Sequence, residues 1–231
     1  MKLLPLLLLF LFGCQKSDNV TVLDEPKMPE LKKPNPEYLI DSLAIAGKMY
    51  TVVQGYPTGK NELPLSILYK GDTIYKHPQK AGNGFDFEDV DGNGIPEVMM
   101  NQLSNVGGVY ECIMFDPKSQ GFKEVKKFDE FPDSKKLPGT QYFYSDHHMG
   151  CAGGMWGSEL FYIDNFEAKA IAGIFIVTCE TADYVKGVTI SKLSGNNETV
   201  IEQMDKVPEK YTQDYTGFFK EYWSGNYKKF E

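Results

Sequence analysis

The sequence predicts a mainly β fold, a β-propeller-like or sandwich domain closed by one C-terminal helix. Three observations predict it. Apolar runs of strand length recur along the chain, separated by short turns rich in Gly, Asp and Asn. Fourteen Tyr and fifteen Phe suit pleated, half-buried surfaces. A helical period is found once only, near the end.

The elements follow in order. Residues 48–54 are apolar and carry β-branched side chains. Residues 65–69 and 73–76 flank Gly71-Asp72, a hairpin signal. Residues 98–102 follow an acidic loop. Residues 110–116 and 122–128 flank a second turn at 117–121. The pattern continues through 141–145, 159–163, 168–172 and 174–179. Residues 188–193 and 198–203 flank a third hairpin turn at 194–197. Pro208-Glu209 and Asp214 then offer helix starts and Gly225 a stop. Between them Tyr215, Phe218, Phe219, Tyr222 and Trp223 recur at three-to-four spacing, the pattern of a packed helix face. No internal repeat is strong enough to set a blade number.

The first residues set the expected compartment. Met1-Lys2, a leucine-rich run over 3–12, and Leu11-Phe12-Gly13-Cys14 make an export signal with a lipid-modified cysteine at its junction. The apolar run is too short for a spanning helix, which needs about 20 residues. The expected organisation is a signal peptide over 1–13, a lipidated N-terminus and Pro-rich tether over 14–36, and one β-rich domain over 37–231. Acylation of Cys14 would anchor the protein to the outer membrane of a bacterial envelope, facing the periplasm or the cell surface. At about 3.1 Å per residue, the tether would reach up to roughly 70 Å.

The full chain carries a net charge of −8, and loss of Lys2 with the signal makes it −9. Every basic residue is lysine. Without arginine's planar fork, nucleic-acid and phosphate recognition are disfavoured, as is an electrostatic grip on anionic lipid. Of the four cysteines, Cys112 lies in an apolar strand and Cys14 is assigned to lipid. Cys151 in a Gly-rich loop and Cys179 at a strand end are the expected disulfide in an oxidising envelope. The alternative is three reduced, buried thiols.

Residues 89–97 read Asp-Val-Asp-Gly-Asn-Gly-Ile-Pro-Glu. Ca²⁺ takes six to eight oxygens at 2.3–2.6 Å. Asp89, Asp91 and Asn93 offer side-chain oxygens at alternate positions of a tight loop. Gly94 permits the turn that aims the Ile95 carbonyl inward, and Glu97 closes the shell. An EF-hand loop would place its last acid at position twelve, between helices; here it comes at position nine, between strands. A hairpin with no metal is the plainer alternative.

Residues 145–158 hold His147, His148, Cys151 and Trp156 among glycines. Adjacent histidines on a strand point to opposite faces and share one ion poorly. Neither G-x-S-x-G nor H-E-x-x-H occurs. Trp156 is an expected partner contact with His147 and His148; its alternative is a buried Trp in a tight turn. His77, in a turn before Pro78, is assigned no function.

The acidic loop resembles the calcium loops of FG-GAP and VCBS-type β-propeller repeats, which follow D-x-D-x-D-G-x-x-D. Glu97 departs from their usual final Asp. Taken with the signal, the tether, the aromatic hairpin and the Gly-Cys-Ala-Gly-Gly-x-Trp stretch, residues 65–180 resemble small bacterial envelope lipoproteins of this kind. Some of these inhibit lysozyme-like peptidoglycan hydrolases and serve as immunity proteins. The resemblance implies a non-enzymatic, calcium-stabilised protein that binds a basic hydrolase. The alternatives are a surface lipoprotein binding glycan or peptide through exposed aromatics such as Trp156 and Tyr142, and a hydrolase using His147 or His148.

Overall fold

The computed structural model describes residues 38–55, 64–78 and 83–231. The chain divides into two units, Met1–Pro34 and Asn35–Glu231. The signal, Cys14 and the tether lie outside the described residues.

The described chain is mainly β with one C-terminal α-helix. Strands β1 (Tyr38–Ile45), β2 (Lys48–Gly55), β3 (Ser66–Tyr69) and β4 (Asp72–Lys76) form an antiparallel meander. A second meander holds β5 (Phe85–Glu88), β6 (Glu97–Asn101), β7 (Tyr110–Asp116) and β8 (Gly121–Val125). The third sheet is built from β9 (Lys135–Lys136), β10 (Tyr142–Tyr144), β11 (His147–Gly150), β12 (Met155–Asp164), β13 (Glu167–Val177), β14 (Gly187–Ser194) and β15 (Asn197–Met204). Its order is β15-β14-β13-β12-β10-β9, with β11 pairing β12. The two meanders resemble single propeller blades, but among the described residues the sheets remain open and close no ring.

Turn chemistry sets these registers. Ile45 pairs with Lys48 across Ala46-Gly47, and Asp164 with Glu167 across Asn165-Phe166. Both residues of each loop have positive φ, the two-residue turn whose twist matches that of the strands it joins. At the β7–β8 turn Asp116 takes over instead: its carboxylate accepts from the Lys118 N–H at 3.0 Å and from the Ser119 hydroxyl at 2.7 Å. Lys123 reinforces it, and these hydrogen bonds hold the Asp116 carboxyl below the usual carboxylate range.

The sheets stack in layers. Leu43, Ile45, Tyr50, Val52, Leu65 and Ile67 of the first meander pack with Val98, Met100, Ile113 and Phe122 of the second. The opposite face of the second meander sends Met99, Cys112, Met114 and Val125 against Phe143, Phe161 and Ala168 of the third sheet. The second meander is thus apolar on both faces. That explains the unbroken runs Val-Met-Met in β6 and Cys-Ile-Met-Phe in β7, where a half-exposed strand would alternate. The remaining face of the third sheet, with Leu160, Ile174, Ile176, Val188 and Ile190, is closed by the C-terminal helix.

That helix, α1, spans Tyr215–Asn226. Asp214 caps it, accepting from the Gly217 N–H at 2.8 Å, a contact worth about 1 kcal/mol. Phe218, Phe219 and Trp223 are buried, and the Trp223 indole N–H donates to Ser158 Oγ at 2.8 Å. The aromatic stripe is therefore a packed face.

Several expected boundaries differ. The two segments expected at 168–172 and 174–179 form one strand, β13, because Gly173 stays in register opposite Glu159 and Ser191. The strand expected over 122–128 ends at Val125, and a 3₁₀ turn takes Phe128–Glu130. Gly225 lies within α1, which runs one residue past it. Strands β1, β5 and β9 had no sequence expectation; two of the three are four residues long or shorter.

Candidate metal centre

The acidic loop is the hairpin connection between β5 and β6, opened by the Glu88–Glu97 pair. Gly92 and Gly94 take φ of 73° and 83°, the left-handed region that glycine enters without steric penalty. Two such turns within three residues fold the chain back on its own side chains. The Asn93 N–H donates to Asp89 Oδ1 and to Asp91 Oδ1, both at 3.0 Å. The Gly94 N–H donates to Asp89 Oδ2 at 2.9 Å, and the Ile95 N–H to Asn93 Oδ1 at 2.7 Å. Asp89, Asp91 and Asn93 thus turn their oxygens onto the loop's own N–H groups while Asp89 and Asn93 stay exposed, and the Asn93 Nδ2 donates to Asp91 Oδ2 at 2.9 Å.

Glu97 approaches from below. It is 1% exposed, and its Oε2 accepts from the Val90 N–H at 2.8 Å. One oxygen each of Asp89, Asp91 and Glu97 lies within 4.8 Å of the others. Two oxygens on opposite sides of a Ca²⁺ at about 2.4 Å are about 4.8 Å apart, so oxygens held within that bound can share a single such ion. The side chain of Ile95 packs under the loop against the core between the two meanders, which ties the loop to the fold.

The arrangement carries an electrostatic cost. Burial pushes the Glu97 carboxyl up to about 7, with Asp91 and Asp89 adding to the rise and the Val90 N–H opposing it. Like charges held no more than 4.8 Å apart repel by at least about 3 kcal/mol at an effective dielectric constant of 20. The nearby Lys136 sits 4.2 Å over the Phe143 ring, where burial lowers its ammonium while Asp91 acts in the opposite direction. The donors are all oxygen, as a hard cation prefers. Behind the loop, burial followed by Glu97, Asp91 and Glu88 pushes the Cys112 thiol well up, so it is an inert core side chain.

The histidine and glycine stretch lies on the third sheet. His147 pairs with Gly157 and His148 with Trp156, and the two imidazoles do face opposite sides. His147 Nδ1 is 3.7 Å from Glu159 Oε2, and the same oxygen accepts from the Ser145 hydroxyl. Burial raises the Glu159 carboxyl against the pull of His147. Ser145 is fully buried, and its hydroxyl donates to the Glu159 carboxylate rather than to the imidazole. On the other side the His148 ring lies over Trp156, with centroids 3.6 Å apart. The Trp156 indole donates to the Gly153 carbonyl at 3.0 Å and meets Tyr215 edge-on. Trp156 is half-buried and clamps the loop at 151–153. Tyr142, expected as an exposed aromatic, is 6% exposed and packs against Tyr162 and Tyr227, because the C-terminal segment covers its face of the sheet.

Cys151 and Cys179 form the disulfide. It closes the loop over Gly154, where a Cβ would come within 2.9 Å of the Cys179 Cβ. Next to it the outer face of the third sheet carries a cleft of about 290 Å³ lined by Met149, Glu159, Phe175, Tyr184, Ser191 and Glu198. Met149 and Tyr184 are half exposed at its rim.

A second group of ionisable side chains had no sequence expectation. His77 is buried beside Glu111 and Glu124. The Tyr75 phenol nearby is pushed up by burial, then by Glu124 and Glu111. The signal was an acid within the apolar run Tyr-Glu-Cys-Ile-Met-Phe of β7. No acid on an alternating, solvated face would need a partner there; one on a core face does.

No protein-family model matches the chain, and no curated protein does. One solved structure, described as a Xanthomonas Type IV secretion system related protein, is 13% identical. That match covers 74% of this chain and 96% of the other, with a TM-score of 0.47. Among the described residues no helix is long and apolar enough to cross a membrane.

Proposed function

We propose that this protein is a non-enzymatic, calcium-clipped binding protein of the bacterial envelope, held to the outer membrane by acyl chains on Cys14. Its partner on this reading is a basic peptidoglycan hydrolase of lysozyme type, which it inhibits. The observation that carries the calcium part is the convergence of Asp89, Asp91 and buried Glu97 within 4.8 Å. Asn93 and the Ile95 carbonyl complete the oxygen shell. A single ion at the root of a hairpin acts as a clip: it offsets carboxylate repulsion and fixes the angle at which β6 enters the core.

The partner class draws support from the resemblance and from charge. A net charge of −9 once Lys2 is lost with the signal (−8 for the full chain) speeds encounter with a basic enzyme and fixes its orientation. The cleft beside the disulfide pairs apolar Met149 and Tyr184 with acidic Glu159 and Glu198, a surface suited to lysine or arginine side chains that carry apolar stems. His147 and Met149 belong to this side: both lie across Gly157, where a Cβ would meet Met149 Sδ at 2.6 Å and His147 Nε2 at 3.1 Å. Trp156 and His148 flank the same loop from the other face.

Purified protein mixed with a panel of muramidases should slow cell-wall lysis by at least one basic member, and Tyr184→Ala should weaken that effect about tenfold, as expected for an aromatic anchor buried by the partner. Undiminished lysis across the panel would remove the inhibitor assignment. For the anchor, cells fed a labelled fatty acid should label the parent protein and leave Cys14→Ala unlabelled. Equal label in both sinks the lipoprotein assignment.

A further inference from the structure

We propose that His77, Glu111 and Glu124 bind one divalent transition-metal ion, zinc being the ion their donor set fits, in the seam between the first and second meanders. The site is separate from the calcium loop and independent of that reading.

The strand period builds it. The His77 N–H donates to the Leu65 carbonyl at 2.8 Å, continuing the β3–β4 ladder one step past β4. His77 therefore shares a face with Tyr75, which packs against the core between the meanders. On the facing sheet, Glu111 is two residues from Ile113, and Ile113 pairs with Glu124. Both glutamates thus point the way Ile113 points, into the same core. They reach His77 where that apolar core ends. His77 Nε2 is 2.6 Å from Glu111 Oε2 and 3.6 Å from Glu124 Oε2, and the three donor atoms all lie within 4.8 Å. The side chains of His77 and Glu111 are 1% and 6% exposed, that of Glu124 35%.

Charge favours an ion over a proton. Two carboxylates against one imidazole leave a net negative charge in the seam even when the imidazole is protonated. Burying uncompensated charge is strongly unfavourable. A divalent ion with a neutral imidazole brings the sum to zero. The donor types choose the ion: carboxylates alone suit Ca²⁺ and Mg²⁺, whereas an imidazole suits zinc and its neighbours. Zinc bonds to nitrogen and oxygen are 2.0–2.2 Å long, which puts tetrahedral donors about 3.4 Å apart. The Glu124 contact already has that spacing, and Glu111 need draw back by less than about 1 Å. The half-exposed Glu124 side leaves the fourth position to water.

The test uses the full-length protein without a histidine tag, stripped of metal, then supplied with excess calcium and titrated with zinc chloride in a calorimeter. One zinc per chain is expected. His77→Gln should weaken binding by at least about tenfold, since even second-shell changes cost that much. Glu124→Gln, at a half-exposed position that leaves the His77–Glu111 contact in place, should weaken it too and serves where His77→Gln fails to fold. The His147→Gln/His148→Gln double variant and Asp91→Ala should bind zinc as the parent does. The proposal is overturned if the parent takes up no zinc at micromolar concentration, if Glu124→Gln binds as the parent does, or if binding disappears with His147 and His148.

Discussion

Stripping calcium from the protein should lower its melting temperature by about 10 °C, and restoring the ion should return it. A ligand that binds only the folded state stabilises by RT ln(1 + [L]/Kd), about 4.1 kcal/mol at a thousandfold excess over Kd. For a domain of this size each kcal/mol moves the melt by about 2–4 °C. Asp91→Ala should abolish the response, because it removes a central carboxylate whose Oδ1 also accepts from the Asn93 N–H. The variant in calcium should melt near the metal-free parent, with a small offset in its favour from relieved repulsion at Glu97. Magnesium should substitute poorly, since it demands shorter bonds and a stricter octahedron. A melt that chelator leaves unmoved, starting from calcium-loaded protein, refutes the clip.

Replacing Cys151 and Cys179 together by Ser should cost about 3.5 kcal/mol. The cysteines are 28 residues apart, and the chain-entropy relation gives a value of about that size for a loop of that length. The fold should survive, because other bonds hold the same ends. The Thr178 N–H and hydroxyl both donate to the Gly154 carbonyl, at 2.8 and 3.1 Å. What should loosen is the loop at 151–153, where Cys151, Ala152 and Gly153 all have positive φ. Denaturant titrations of parent and double variant give the difference directly; coincident midpoints would show that the bridge does not constrain the unfolded chain. Thiol titration supplies a second reading. Buried Cys112 should stay unreactive in the native double variant and react only on unfolding.

These two expectations were open to sequence reading to different degrees. The shape of the acidic loop was legible because it is local: nine consecutive residues carry the carboxylates, the amide and the turn-forming glycines, and no distant strand is needed to bring Asp89, Asp91 and Asn93 into one turn. Hairpins are local for the same reason. The C-terminal helix announced itself through the cap at Asp214 and the spacing of Phe218, Phe219 and Trp223. The pairing of Cys151 with Cys179 was narrowed by strand and loop context, but β12 and β13 had to pair before the two sulfurs met.

The tertiary structure alone decided which face of each strand is solvated. Tyr142 looked available as a contact and is core, because the C-terminal segment with Tyr227 packs over its face. Trp156 looked like an anchor and is half-buried under its own loop. His77 looked like a turn residue, while its neighbours Glu111 and Glu124 come from two strands of another sheet. The physical reason is common to these cases. A strand has a period of two and one backbone geometry whatever lies above it, so its sequence says which residues share a face and nothing about what that face meets. Only sheet stacking supplies the second layer, and with it both the buried charges at His77 and the two-sided core of the second meander.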